Sequence, residues 1–232
     1  MHPGSLYIVA TPIGNLQDIS LRAIETLKNV SYIACEDTRI TGRLLSVIGI
    51  ENKPMLISYY EQNEDARIPN ILNLLLNGQD VALVSDSGTP LISDPGFPLV
   101  REALKQGIKT ISIPGPTAGI SALVSSGLPT DKYIFLGFLP KKEGNRLKLL
   151  TNLKAANEKL EATVIIYEAP HRIVKTLSSV KQIFGNIKVS LARELTKIHE
   201  EVVRAKISEF LDKYSRNKVK GELMILFSLK RL

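Results

Sequence analysis

Five stretches of this sequence gather side chains capable of chemistry, each at the end of a short apolar run. The densest is Asp86-Ser87-Gly88-Thr89-Pro90-Leu91-Ile92-Ser93-Asp94-Pro95-Gly96. Two glycines, two prolines and five hydroxyl or carboxylate side chains within eleven residues predict a rigid loop with exposed backbone polar groups, suited to gripping a small polar molecule. Glu36-Asp37-Thr38-Arg39 and Tyr167-Glu168-Ala169-Pro170-His171-Arg172 set carboxylates beside cations. A buried carboxylate next to Arg or His can have its pKa set for proton transfer, but a surface ion pair has the same sequence signature. For Glu36, Asp37 and Arg39 a structural ion-pair network is the simpler expectation. For Glu168, His171 and Arg172, three polar functions directly after a very apolar run favour a functional role. Ala192-Arg193-Glu194-Leu195-Thr196-Lys197 adds two cations, as a basic rim or the start of a helix. Thr11-Pro12-Ile13-Gly14-Asn15-Leu16 is a run of turn formers that an ordinary strand-to-helix turn explains equally well.

Many familiar sites are excluded. The chain has no G-x-x-x-x-G-K-[ST], no G-x-G-x-x-G after its first apolar run, no G-x-S-x-G and no H-E-x-x-H. Asp86-Ser87-Gly88-Thr89 is close to the D-x-D-G-T pattern of phosphatases, but Gly88 replaces the second acid. With three histidines, His2, His171 and His199, and one cysteine, Cys35, neither a multi-histidine metal centre nor a disulfide framework is expected.

Loops of this kind work together only if the strands before them share a direction. Strand-length runs at 6–10, 32–35, 55–58, 81–85 and 110–113 alternate with helix-period segments at 20–28, 41–48, 65–76 and 98–105. That alternation predicts a parallel α/β sheet, with ligand sites at the carboxyl ends of its strands. After Pro114-Gly115-Pro116, a small-residue helix at 118–125 opens a second pattern. Strands at 134–138, 163–167, 188–192, 201–207 and 222–228 are interrupted by helices at 146–156, 173–184 and 208–214. The last two strands read as alternating in and out, which predicts a mixed sheet. The expected organisation is two α/β domains, 1–115 and 116–232, with a cleft between them.

Residues 1–116 carry 9 basic and 12 acidic side chains, whereas residues 117–232 carry 21 and 11. A second half at +10 suits a polyanionic partner, although a solvated lysine-rich face would give the same count. No apolar run reaches the 18 residues of a membrane span and no basic, apolar leader pattern starts at Met1, so a soluble cytoplasmic protein is expected.

In order, Thr11–Leu16, Glu36–Arg39, Ser85–Pro90, Asp94–Gly96, Pro114–Pro116, Tyr167–Arg172 and Ala192–Lys197 resemble the motifs of the ribosomal RNA small-subunit methyltransferase I family. That family is the RNA-modifying branch of the tetrapyrrole (corrin/porphyrin) methylase superfamily. The resemblance covers nearly the whole chain, and its specificity lies in seven motifs in one order. It implies a two-domain α/β fold, a homodimer, S-adenosylmethionine as methyl donor without a metal, and 2′-O-methylation of a decoding-centre cytidine in small-subunit (16S) rRNA, naked or in the assembled 30S subunit. Carried over residue by residue, it implies donor contacts at Pro12, Gly88, Thr89, Leu91, Ile92, Thr117, Ala118 and Tyr167. Ser87 stands where alanine is more usual, and 59–64 lacks the histidines of the RNA branch, so no chemistry is assigned to that segment.

Methyl transfer from a sulfonium needs in-line alignment, and positioning of this kind lowers a barrier by roughly 7 to 11 kcal/mol. A base taking the proton of a ribose hydroxyl adds about 10²- to 10⁴-fold. Glu168 or His171 is expected as that base, Arg172, Arg193 and Lys197 as phosphate ligands, and Glu36, Asp37 and Arg39 as the opposite wall. Two other functions fit the same features: C-methylation of a tetrapyrrole precursor, and a non-catalytic RNA-binding ribosome assembly factor.

Overall fold

The structure, a computed structural model, describes residues 2–52, 54–217 and 219–228, the side chains of 157–159 excepted. The chain divides into two compact units, Met1–Thr117 and Ala118–Leu232. Among the described residues, no helix is long and apolar enough to cross a membrane.

The first unit runs β1 (Leu6–Val9), α1 (Leu21–Asn29), β2 (Tyr32–Cys35), α2 (Thr38–Val47), β3 (Met55–Ser58), α3 (Glu64–Leu76), β4 (Val81–Val84), α4 (Phe97–Lys105) and β5 (Thr110–Ile113). Its strands lie in the order β3-β2-β4-β1-β5, and every pairing is parallel. Two cores form because side chains alternate across the pleat. Leu6, Ile8 and Leu83 pack with Ile71, Leu75 and Leu99 of α3 and α4. Val9, Ile33 and Val84 pack with Ala23, Leu27 and Leu45 of α1 and α2. The chain leaves β2 toward β3 on one side and β4 toward β5 on the other. In an open α/β sheet this divergence makes a crevice at the carboxyl ends of the two strands.

The second unit holds α5 (Ala118–Ser126), β6 (Tyr133–Phe138), α6 (Glu143–Leu160), β7 (Thr163–Glu168), α7 (Ile173–Phe184), β8 (Lys188–Arg193), β9 (Glu201–Lys206), α8 (Ile207–Arg216) and β10 (Leu223–Ser228). The sheet order is β6-β7-β10-β8-β9, with β6 parallel to β7 and the other pairs antiparallel. This is the mixed sheet expected. Leu150, Leu177 and Phe210 of α6, α7 and α8 cover one face, meeting Val164, Leu191 and Ile225. Helix α5 lies against β7, β8, β9 and β10.

Three local readings change, the first being helix α6, which runs Glu143–Leu160 rather than 146–156. Alternation is absent from β10, whose Leu223 to Phe227 are all buried, because α6, α7 and α8 cover Leu223, Ile225 and Phe227 and α5 also lies against the strand. Helix α2 begins at Thr38 rather than at 41, because the Asp37 carboxylate accepts from the Arg39 amide and caps it.

Candidate functional site

In the first unit the loops after β1 and β4 are joined. Thr11 and Gly88 form an antiparallel bridge, with the Thr11 amide donating to the Gly88 carbonyl at 2.8 Å and the Gly88 amide to the Thr11 carbonyl at 3.1 Å. Gly88 has φ +85°, and a Cβ there would lie 3.2 Å from Ile13 Cγ2. Only glycine meets both demands without strain. Next along, the Thr89 hydroxyl lies 2.7 Å from that of Thr117 and 3.0 Å from the Pro116 carbonyl. Pro12, Gly88, Thr89 and Thr117 are therefore held in one loop cluster, with Ala118 the next residue in the chain. Leu91 and Ile92 continue it. Leu91 at φ 72° and Ser93 at φ 69° are left-handed without being glycine, a strained backbone that recurs at ligand-binding loops.

A carboxylate cluster lies at the crevice end of β2 and β4. The Asp37 amide donates to Asp86 Oδ1 at 3.0 Å. Burial pushes the carboxyl pKa values of Glu36 and Asp86 up, and that of Asp94 to about 6, with Glu36 and Asp86 adding repulsion at Asp94 against a Ser85 hydroxyl that works the other way. Asp37 differs: hydrogen bonds from Arg39, 2.6 Å away, hold it well below the usual carboxylate range. The Arg39 side chain is 87% exposed. Among these acids, Asp37 has the cation and the other three hold their protons more tightly; a cationic ligand would relieve them.

Glu64 was not legible as part of this site. Its Oε2 accepts from the buried Tyr59 hydroxyl at 3.1 Å and from the Gly96 amide at 3.3 Å, tying α3 to the end of the 86–96 loop. Its place in the first turn of α3 was the available signal. Asp86 and Asp94 stood within a motif already quoted, but only burial singles them out.

The second unit gathers the remaining residues along one rim of its sheet, where Glu168 and Arg193 both pair with Leu223 and Arg193 pairs with Glu201. Glu168 has a fully buried side chain. It accepts from the Ala169 amide at 2.8 Å, from the Thr176 hydroxyl, and from Arg172 Nε at 3.3 Å. Arg172 in turn donates to the Leu139 carbonyl at 2.5 Å. This geometry removes Glu168 as a free base and Arg172 as a free phosphate ligand: both are committed to holding the turn between β7 and α7. His171, in that same turn, is exposed. Tyr167 packs edge-on against Phe135 and Phe138, and its hydroxyl oxygen accepts from the Gly119 amide at 3.1 Å.

Arg193 and Lys197 are engaged as well. Arg193 pairs with Glu201 at 2.8 Å, and Lys197 with Glu194 at 3.0 Å and Glu222 at 3.1 Å. Among the described residues no three His, Cys, Asp or Glu side chains are gathered as metal ligands.

Three comparisons bear on this arrangement. The model of the Tetrapyrrole (Corrin/Porphyrin) Methylases matches residues 5–211. A Hydrogenobaculum protein named ribosomal RNA small subunit methyltransferase I is 47% identical, covering 96% of this chain and 95% of that protein. A Thermotoga maritima protein of the same name is 45% identical over 98% and 99% of the two chains. Among solved structures, uroporphyrin-III C-methyltransferase from Thermus thermophilus, complexed with S-adenyl homocysteine, superposes with a TM-score of 0.64 at 18% identity. It covers 96% of this chain and 97% of its own, a likeness of fold.

Proposed function

This chain belongs to the tetrapyrrole (corrin/porphyrin) methylase family, and from that membership we propose that it transfers a methyl group from S-adenosylmethionine to the 2′-oxygen of a decoding-centre cytidine in small-subunit rRNA. The observation that carries the proposal is identity of 45–47% along almost the full chain to proteins named for methylation of small-subunit rRNA. The neighbour's S-adenyl homocysteine, the demethylated donor, supports the choice of cofactor.

The residues present suit that donor. Its sulfonium and amino group are cationic, and Glu36, Asp86 and Asp94 are carboxylates whose raised pKa values a nearby cation would lower. The glycine at Gly88 lets backbone approach a ligand closely. Pro12, Thr89, Leu91, Ile92, Thr117 and Ala118 would hold the donor with them, and Tyr167 would complete the set. When bound, S-adenosylmethionine supplies a methyl group on a good leaving group.

The protein's own part is to hold the 2′-hydroxyl in line and accept its proton. His171 is the proposed acceptor, since it is exposed at the turn that Glu168 and Arg172 fix from beneath. Those two are positioning residues, while Arg193 and Lys197 shape the neighbouring rim. Residues 1–115 would supply the donor loops and 116–232 the RNA contacts. A homodimer acting in the cytoplasm completes the proposal.

The test is to incubate the purified protein with S-adenosylmethionine and either naked small-subunit rRNA or 30S subunits, then map 2′-O-methyl marks nucleotide by nucleotide. A single new mark at a cytidine ribose is expected. No mark on either substrate, together with methylation of a tetrapyrrole, would overturn the proposal. Failure to bind S-adenosylmethionine in calorimetry would point to an assembly factor.

A further inference from the structure

Resting on the donor reading, we propose that Tyr59 and Glu64 are positioning residues for S-adenosylmethionine. They brace the 86–96 loop at its far end, in the shape that Leu91 and Ile92 need to meet the donor. Both lie in 59–64, a segment to which the sequence motifs assign no chemistry.

The brace starts from the ends of β2 and β3. The Tyr59 amide donates to the Cys35 carbonyl at 2.8 Å, the Tyr60 amide to Asn63 Oδ1 at 2.8 Å, and Asn63 Nδ2 to the Ser58 carbonyl at 3.2 Å. The segment is thereby closed on itself, with Tyr59 1% exposed in the core that holds Leu83 and Leu99. Glu64 Oε2 then receives two donors, the Tyr59 hydroxyl at 3.1 Å and the Gly96 amide at 3.3 Å. Gly96 is the N-cap of α4 and brings no side chain to it. In a capping box the residue at N3 takes the N-cap amide. N3 of α4 is Leu99, which has no side-chain acceptor, and Glu64 does that work from the first turn of α3. Gly96 is buried, so without Glu64 its N–H is left unpaired away from water.

Gly96 in turn carries Leu91. A Cβ on Gly96 would lie 2.9 Å from Leu91 Cδ1 and 2.7 Å from Leu83 Cδ2, so the Leu91 side chain rests on the backbone that Glu64 holds. Leu91 and Ser93 are the two left-handed, non-glycine residues of this loop. Strained backbone persists only where its surroundings over-determine it. Here the Thr11–Gly88 bridge fixes one end of the loop and Glu64 the other. Releasing the second end lets the loop relax into shapes that do not bind donor, and apparent affinity falls with the fraction that stays competent. Once donor is bound the loop is back in place, so the methyl-transfer step keeps its rate.

The test combines S-adenosylmethionine calorimetry, methyl-transfer kinetics on rRNA or 30S subunits, and thermal unfolding, all on full-length protein. Glu64→Leu should raise the donor Kd and the donor KM together by about tenfold, the effect of one unpaired buried N–H. Its kcat at saturating donor should stay within about twofold of wild type. Both donors converge on one oxygen, so the carbonyl of Glu64→Gln can take the same place; without the charge, its Kd should lie within about threefold of wild type. Tyr59→Phe keeps the ring and loses the hydroxyl, and should raise Kd by about threefold. A purely structural role would lower the unfolding temperature of Glu64→Leu and leave the Kd of the folded variant unchanged. That result, a fall in kcat with KM unchanged, or no rescue by glutamine overturns the brace. Should Glu64→Leu not fold, Tyr59→Phe decides: a raised Kd supports the brace and an unchanged Kd overturns it. If wild-type protein binds donor and folded Glu64→Leu binds it equally well, only the brace falls. If wild-type protein does not bind donor, the donor reading falls and the brace with it.

Discussion

The two units place charge at their strand ends in opposite ways. In the first, Glu36, Asp86 and Asp94 crowd together, with Arg39 committed to Asp37, and their protons are held tightly. In the second, Arg172, Arg193 and Lys197 each meet a carboxylate. A carboxylate without a cationic partner favours a cationic ligand, whereas an ion pair within the fold serves architecture. The raised carboxyl pKa values of the first unit suit the cationic donor proposed for it. In the second unit the cations of the motifs are tied to the sheet rim and its turns.

The contrast can be broken most sharply at Glu168. Removing it strands Arg172 in a buried setting, so Glu168→Ala should destabilise the protein by about 3–5 kcal/mol in denaturant unfolding. If Glu168→Gln instead leaves stability intact but stops methyl transfer, Glu168 is chemical and the contrast fails. At Gly88, alanine must adopt a left-handed backbone at about 1–2 kcal/mol and press on Ile13, for roughly a tenfold loss of S-adenosylmethionine affinity by calorimetry.

Protonation tests the acidic cluster. Asp94 has a pKa raised to about 6, and a cation prefers its ionised form. Donor affinity should be full above that value and decline as pH falls through it, approaching tenfold per pH unit. Asp94→Asn should flatten the profile. Without donor the sign reverses: ionising Asp94 opposes folding, so stability falls as pH rises between about 4 and 6. The smallest effect belongs to Lys197→Ala, whose partly exposed ion pairs should cost under about 1 kcal/mol in unfolding. A large loss of RNA affinity there would restore Lys197 as a phosphate ligand.

Much of the fold was legible because hydrophobic period is a strong signal when every strand is short and bounded by turn residues. The runs at 32–35, 55–58 and 110–113 coincide with β2, β3 and β5. What failed was whatever depends on partners distant in sequence. The alternation expected of β10 vanished because helices pack on it: Leu223, Ile225 and Phe227 meet α6, α7 and α8, and α5 also lies against the strand. The start of α2 moved because one carboxylate caps it. In the candidate site, loop positions followed from motif order, and the bridge between Thr11 and Gly88 joins two of them. The state of each charge did not follow, since the buried Glu168 and the largely exposed Glu222 are the same letter. Only burial and partner identity separate a charge that serves the fold from one that faces solvent.

The central place of β10 has a consequence for biogenesis. All five strands of the first unit have left the ribosome once residue 113 is free, so that sheet can close while synthesis continues. The second sheet is split into a β6–β7 pair and a β8–β9 hairpin until residues 223–228 emerge to join them. A nascent chain stalled before that point carries two unjoined sheet halves with open edges, the state in which aggregation and chaperone capture concentrate.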